Sequence, residues 1–196
     1  KFRSFNGGPG IVWKDQNAIQ KHVISCVSLS CISLNKIRKR NFKIVIDAVN
    51  GAGSDALPAL LESLGCEVIE INCEANGIFQ RGTEPLPENI KDLSNAVINY
   101  KADAGFAIDP DADRLAIVDE KGTALGEEYT LVIAADGYIK SIDKSDEKFV
   151  INLSTSMALE KLSSKIGIDV ERSAVGEINV VNKMNDLNSN FGGEGN

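Results

Sequence analysis

The chain has 196 residues, 43% hydrophobic and 25% charged, enough to bury a core in one large or two small domains. A net charge of -7 excludes any general attraction to nucleic acid or an anionic membrane, so an anionic ligand would need local cations. Four cysteines without a CxxC pair and a single histidine, His22, leave almost no material for a zinc site and predict idle thiols in a reducing cytoplasm.

Residues 1–41 read as a tail and a connecting helix ending in the basic stretch KIRKR, whose cations suit a helix C-terminus and solvent. Within it VISCVSLSCISL (23–34) is apolar, but at twelve residues with four serines it is too short to cross a bilayer. KIVIDAV (43–49) is a continuous, β-branched strand pattern, NGAGS (50–54) a turn, and DALPALLESLG (55–65) carries apolar residues at helical spacing. CEVIEIN (66–72) predicts a second strand, PENIKDLSNAVINYKAD (87–103) a helix and AGFAI (104–108) a third strand. LAIVDE (115–120) and GEEYTLVIAADGYIKS (126–141) add one more strand and helix.

The polar IDKSDEK segment then reads as a linker, followed by strand KFVINL (148–153), helix STSMALEKLSSKIG, strand-like IDVERS and helix GEINVVNKMNDL (176–187). Alternation of this kind predicts an α/β fold with a mixed, mostly parallel sheet sandwiched by helices. The boundaries place a first-domain tail and connecting helix at 1–41, a complete α/β domain at 42–146 and a truncated one at 147–196. Opening on Lys1 and closing inside the loop-like FGGEGN run, the chain reads as a piece of something longer, and no internal repeat is visible.

Asp109, Asp111 and Asp113 alternate in FAIDPDADRLAIVDEKG (106–122). On an extended strand such residues lie roughly 6.6 Å apart, whereas the ligands of one hard cation lie within roughly 2.0–2.6 Å of it. A metal site here therefore requires the chain to curl. Pro110 interrupts the strand at the right place, and small Ala112 does not obstruct the curl. Uncompensated, three clustered carboxylates repel one another until one takes a proton. Oxygen-only ligands favour Mg2+, or manganese in its place, and neighbouring Arg114 suggests a phosphate sharing the site. Three rival readings fit part of the stretch. An EF-hand loop would place Glu120 at position twelve, but it has Arg114 where its turn needs glycine. Asp109 could serve as a phosphatase-type nucleophile, or the whole stretch could be a solvated acidic turn.

Gly51, Gly53 and Ala56 match G-x-G-x-x-[GA] between strand and helix, with Glu70 nineteen residues beyond Gly51. That pattern alone suggests NAD. Tight strand-to-helix turns use glycine whatever they bind, and Asn50 and Ser54 read equally well as turn and cap residues.

DPDADR between FAI and LAIVDEKG, preceded by the NGAG turn and EPLPENI and followed by AVGEINVVNKM, resembles the α-D-phosphohexomutases: phosphomannomutase, phosphoglucomutase and phosphoglucosamine mutase. The resemblance implies the end of a first domain, all of a second and the start of a third in a four-domain isomerase. Such an enzyme moves a phosphoryl group between the 1- and 6-positions of a hexose through a phosphoserine. It implies Mg2+ held by Asp109, Asp111 and Asp113, with Arg114 positioning the phosphoserine and Lys1 as general acid or base. It further implies a phosphosugar and its bisphosphate intermediate as partners, touched by Gly176, Glu177 and Glu194. Arg81 and Glu84 are expected to fix a loop instead. Two departures matter: no T-A-S-H-N-P serine loop is present, and GGEGN replaces the E-x-S-G continuation, which leaves sugar identity open. The polypeptide alone is accordingly expected to be inactive, and a non-catalytic or dinucleotide-binding α/β module stays open as the other class.

Overall fold

Strand β1 (Lys43–Asp47) is the axis of the first unit, because its alternating side chains serve two opposite layers. Ile44 and Ile46 point to α3 (Ala56–Ser63), where they pack with Leu61. Val45 points the other way, to α4 (Lys91–Tyr100), and joins Leu93, Ala96 and Val97. Burying Ile44, Val45 and Ile46 contributes roughly 1.5–3 kcal/mol for each side chain. The computed structural model describes residues 14–142 and 146–195.

Parallel partners flank β1: β2 (Glu67–Ile71) on one side and β3 (Ala104–Ile108) on the other, with Asp47 level with Ile71 and Ala107. Strand β4 (Leu115–Val118) closes the sheet antiparallel to β3, so the order is β2-β1-β3-β4. Residues 109–114 thus form a hairpin loop between the paired Ile108 and Leu115. Order 2-1-3 reverses the direction of winding between β1 and β3, which opens a crevice at their carboxyl ends.

A second sheet repeats this pattern. Its order is β6-β5-β7, all parallel, from β5 (Lys148–Asn152), β6 (Asp169–Ser173) and β7 (Phe191–Gly193). Helices α5 (Glu127–Ile139) and α6 (Ala158–Ile166) cover one face, where Phe149 and Ile151 meet Ala135, Ile139 and Leu159. Helix α7 (Glu177–Leu187) lies over β5 and β7 on the other. No helix among the described residues is long and apolar enough to cross a membrane.

Three expectations need correction. Helix α5 was assigned to the first unit, with the boundary near 146. Its Ala135 and Ile139 instead lie in the second core, so the change of core falls before α5. Apolar residues run all round this helix, so its pattern does not say which sheet it covers. The loop-like FGGEGN run instead contains a strand, Phe191–Gly193. A Cβ at Gly192 would lie 2.6 Å from both Met184 Sδ and the Val150 carbonyl, so glycine here admits α7 close to the sheet. The single connecting helix before residue 41 is two, α1 (Ala18–Val27) and α2 (Leu34–Arg38).

Arg81 ties the first crevice together. Its Nε donates to Asp47 Oδ2 at 2.9 Å, and its other nitrogens donate to the carbonyls of Ile108, Gly82 and Thr83 at 2.7, 2.9 and 3.2 Å. Both side chains are buried, 8% exposed for Arg81 and 1% for Asp47. Removing one partner of a buried pair strands the other charge, so Arg81→Ala should lower stability by about 3–5 kcal/mol. Urea unfolding checks this; a loss under about 1 kcal/mol would mean that the pair is no anchor.

Candidate metal centre and adjoining cleft

At the carboxyl end of β3 the chain curls as a metal site requires. Asp109 Oδ1 accepts the amides of Asp113 and Arg114, each at 3.1 Å, and the Asp109 carbonyl accepts the Ala112 amide at 3.2 Å. Ala112 takes the left-handed conformation, φ 65°, which only small or turn-forming side chains adopt cheaply. This fold-back brings one carboxylate oxygen from each of Asp109, Asp111 and Asp113 within 4.8 Å of the others. Asp109 is buried at the base, with Asp111 and Asp113 exposed.

The donor set fits a hard divalent cation. Opposite oxygens around Mg2+ stand about 4.2 Å apart, twice the metal–oxygen distance, so rotation of the two exposed side chains closes the gap.

The NGAG turn is the floor of this loop. A Cβ at Gly51 would stand 2.5 Å from the Pro110 carbonyl oxygen, and one at Gly53 would collide with Ile108 and press on Ala112. The Ala52 amide donates to the Pro110 carbonyl at 2.8 Å. The glycines therefore make room for the aspartate loop, in the space where a dinucleotide phosphate would approach. Asn50 has a turn role: it accepts the Glu74 amide and donates to the Ile78 carbonyl, both at 2.9 Å. Ser54 donates to the Gly51 carbonyl at 2.9 Å and caps no helix amide. Gly51→Ala should displace Pro110 and weaken Mn2+ binding about tenfold, a cost of about 1.4 kcal/mol. Titration calorimetry reads this, and an unchanged affinity would show that the turn does not support the loop.

A cleft of about 600 Å3 runs from this loop to the second unit, lined by Asp113, Arg114, Glu177, Val180, Met184 and Glu194. Its size is that of a small-molecule site. Four of the residues singled out in the sequence thus face one space. Gly176 stands just behind, its amide donating to Glu194 Oε1 at 2.7 Å. Asn152 Nδ2 donates to the same oxygen at 2.7 Å, while its own carbonyl oxygen takes the Thr155 amide and hydroxyl and the Ser154 hydroxyl. The start of α7 thus already holds the Glu194 carboxylate. Lys1 lies outside the described residues.

Arg81 and Glu84 act within the protein, as expected: Arg81 as described, and Glu84 by pairing with Arg114 at 3.1 Å. Exposed by a third to a half, that pair contributes about 0–1 kcal/mol. Glu127 was missed. It opens α5 beside Arg114, and a glutamate in a helix's first turn ordinarily needs no explanation beyond the helix dipole. Burial raises its carboxyl pKa; Arg114 pulls it down, and Glu84 and Asp109 push it up. Burial works against the charge on Arg114, but Glu84, Glu127 and Asp109 outweigh it and hold its pKa above the ordinary value.

The folded Glu127 carboxyl keeps its proton to higher pH than the unfolded one. In the window above the ordinary value of 4.5 the folded state thus binds more protons, and this group's contribution to stability falls as pH rises. Glu127→Gln should flatten that decline in urea midpoints measured across the window; an unaltered slope would assign it to another group.

Two α/β/α units, each with a parallel-sheet switch point, and a triple-aspartate loop beside a shared cleft define a tandem α/β/α protein with a cluster of oxygen donors at its cleft. The phosphoglucomutase/phosphomannomutase α/β/α domain II model matches residues 20–122, and the domain III model matches 126–196. The chain belongs to this family, the α-D-phosphohexomutases. It is 39% identical to a phosphoglucosamine mutase from Campylobacter hominis over 156 residues, 79% of this chain and 34% of that protein. It is 35% identical to a phosphoglucomutase/phosphomannomutase from Thermococcus kodakarensis over 166 residues, 84% of this chain and 36% of that one. A phosphoglucomutase/phosphomannomutase family structure from Burkholderia thailandensis shares the fold with a TM-score of 0.75 at 23% identity, over 90% of this chain and 37% of that one. A putative phosphomannomutase structure from Thermus thermophilus does so with the same score at 22% identity, over 91% and 40%. The chain thus spans about a third of the length of these curated relatives. Their names are those of mutases, an isomerase class.

Proposed function

We propose that this chain supplies the metal loop and part of the sugar site of an enzyme that interconverts 1-phospho and 6-phospho hexoses by Mg2+-dependent, phosphoserine-mediated phosphoryl transfer in the cytoplasm. The observation that carries the reading is the convergence of Asp109, Asp111 and Asp113 on one another, with Asp113 lining the same cleft as Arg114, Glu177 and Glu194. The named relatives, phosphoglucosamine mutase among them, support glucose, mannose or glucosamine phosphate as the substrate class.

In this reading the three aspartates hold the magnesium, which neutralises charge on the transferring phosphoryl group when bound. Arg114, a planar fork of donors, orients phosphate oxygens beside that loop. Glu194 is held through Oε1 by Gly176 and Asn152, which leaves Oε2 to accept a sugar hydroxyl. Glu177 lines the same wall. Val180 and Met184 give the sugar ring an apolar surface and keep water from the adjoining face. Lys1 is assigned proton transfer, and the phosphoserine and a further phosphate-binding loop are assigned to other parts of the enzyme. On its own the polypeptide is expected to bind and not to turn over.

Titration of the chain with Mn2+ tests the reading. Asp111→Asn should cost more than the roughly 10–100-fold typical of outer-sphere partners, with the fold retained by circular dichroism. Equal Mn2+ affinity in the variant, or NAD binding tighter than binding of glucose 1-phosphate, would overturn it.

A further inference from the structure

Two buried side-chain oxygens among the described residues have no hydrogen-bond donor, and only one belongs to an acidic group: Oε1 of Glu127. A buried acceptor without a donor calls for an explanation. Its surroundings supply one. Glu127 opens α5, whose Thr130 hydroxyl donates to the Leu115 carbonyl at 2.6 Å and so staples the helix to the residue that follows Arg114. Arg114 faces the cleft, and its NH1 is engaged by Glu84 at 3.1 Å in a pair where Arg114 is 36% and Glu84 53% exposed. The guanidinium therefore has one carboxylate in solvent, from the loop that precedes α4, and a second, half-buried one with an oxygen that is out of solvent and without a donor, from the helix that belongs to the second core.

We infer that Glu127 is a positioning residue: when a phosphate monoester enters the cleft, Arg114 leaves Glu84 for Glu127, and the new pair aims its remaining donors at the anion. The identity of the anion rests on the mutase reading; the exchange of partners does not. Five donors in one plane let a guanidinium serve a carboxylate and a phosphate together. The pair with Glu84 is screened by water and is easily given up, whereas a carboxylate oxygen out of solvent is screened far less. Glu84 holds Arg114 in the arrangement that does not bind, so it lowers apparent affinity by reducing the competent fraction, and Glu127 raises that fraction. Because Glu127 rides on α5, occupancy of the cleft also draws the second unit toward the aspartate loop.

The two glutamates are thus predicted to act with opposite sign, which a merely structural role would not produce. Glucose 1-phosphate is titrated calorimetrically into the full chain with Mn2+ present. Glu127→Gln should weaken its binding about fivefold to tenfold, Glu127→Asp should recover part of the loss, and Glu84→Gln should leave binding unchanged or tighten it about twofold. Mn2+ affinity should move little in any of them. In parallel, 15N-arginine spectra of the ligand-free chain report rotation of the Arg114 guanidinium, assigned by loss of its signal in Arg114→Lys. Glu84→Gln should keep that rotation slow, because Glu127 takes over, and only the double variant should release it. Free rotation in Glu84→Gln alone, or wild-type glucose 1-phosphate binding in Glu127→Gln, would overturn the inference. A wild-type chain that binds Mn2+ but no glucose 1-phosphate would sink the substrate reading, and the spectra would still decide the partner exchange.

Discussion

Arginines that gather carbonyls at the carboxyl ends of strands are the constraint on which both halves of the cleft rest. In the first unit Arg81 neutralises Asp47 and binds the carbonyl of Ile108, so the ends of β1 and β3 are fixed across the switch point. Asp109 follows directly, and its loop inherits that rigidity. In the second unit Arg172 pairs with Glu160 at 2.9 Å and donates to the carbonyls of Asn152, Leu153 and Thr155. Strand ends leave carbonyls without ladder partners, and a guanidinium is the side chain with enough donors to satisfy several at once. Each unit thus turns a liability of the parallel sheet into a fixed platform for side chains that face the cleft.

The loops on those platforms are strained, and the strain has visible compensation. Val49, a β-branched residue, and Asn50 both take the left-handed conformation just past β1, with φ of 49° and 56°. Asp47 Oδ1 accepts the Val49 amide at 2.9 Å, and Asn50 makes two side-chain bonds to the loop that follows β2. Asp47 therefore serves two purposes, as partner of Arg81 and as the acceptor that holds the turn. This sharp reversal is what sets Gly51 against Pro110.

Much of this was legible in the sequence, because the informative signals were local. The strands of the first unit show their β-branched runs, and the demand for a curl at 109–113 follows from carboxylate spacing alone. The expectation that Arg81 fixes a loop came with the family resemblance, and the structure adds which strands it fixes. What escaped depended on contacts distant in the chain. Helix α5 carries apolar residues on every side, so only its partners decide which core it joins. Strand β7 is two-thirds glycine and has no β-branched residue, and it exists because β5 and α7 leave room only for a bare backbone. The repeated order of the two sheets left no repeat in the sequence, since topology constrains winding and not residue identity. Glu127 escaped because its distinction is an unsatisfied oxygen beside a particular guanidinium, a property no single segment encodes.

The two sides of the cleft differ in how their carboxylates are held, and the difference bears on what each can do. Glu194 is satisfied on one oxygen by two donors and sits on a helix N-terminus, so its position is set before any ligand arrives. The aspartate loop is the reverse: apart from Asp109 Oδ1, which accepts two amides, no side-chain hydrogen bond or ion pair from the described residues ties its carboxylates, and Asp111 and Asp113 are exposed. Such a group gains most from a cation that offsets the mutual repulsion of three charges. Arg114 cannot do so alone, since Glu84 and Glu127 already compete for it. A preset polar wall opposite a charge cluster left to be completed is the division that the proposed hexose-phosphate reading calls for.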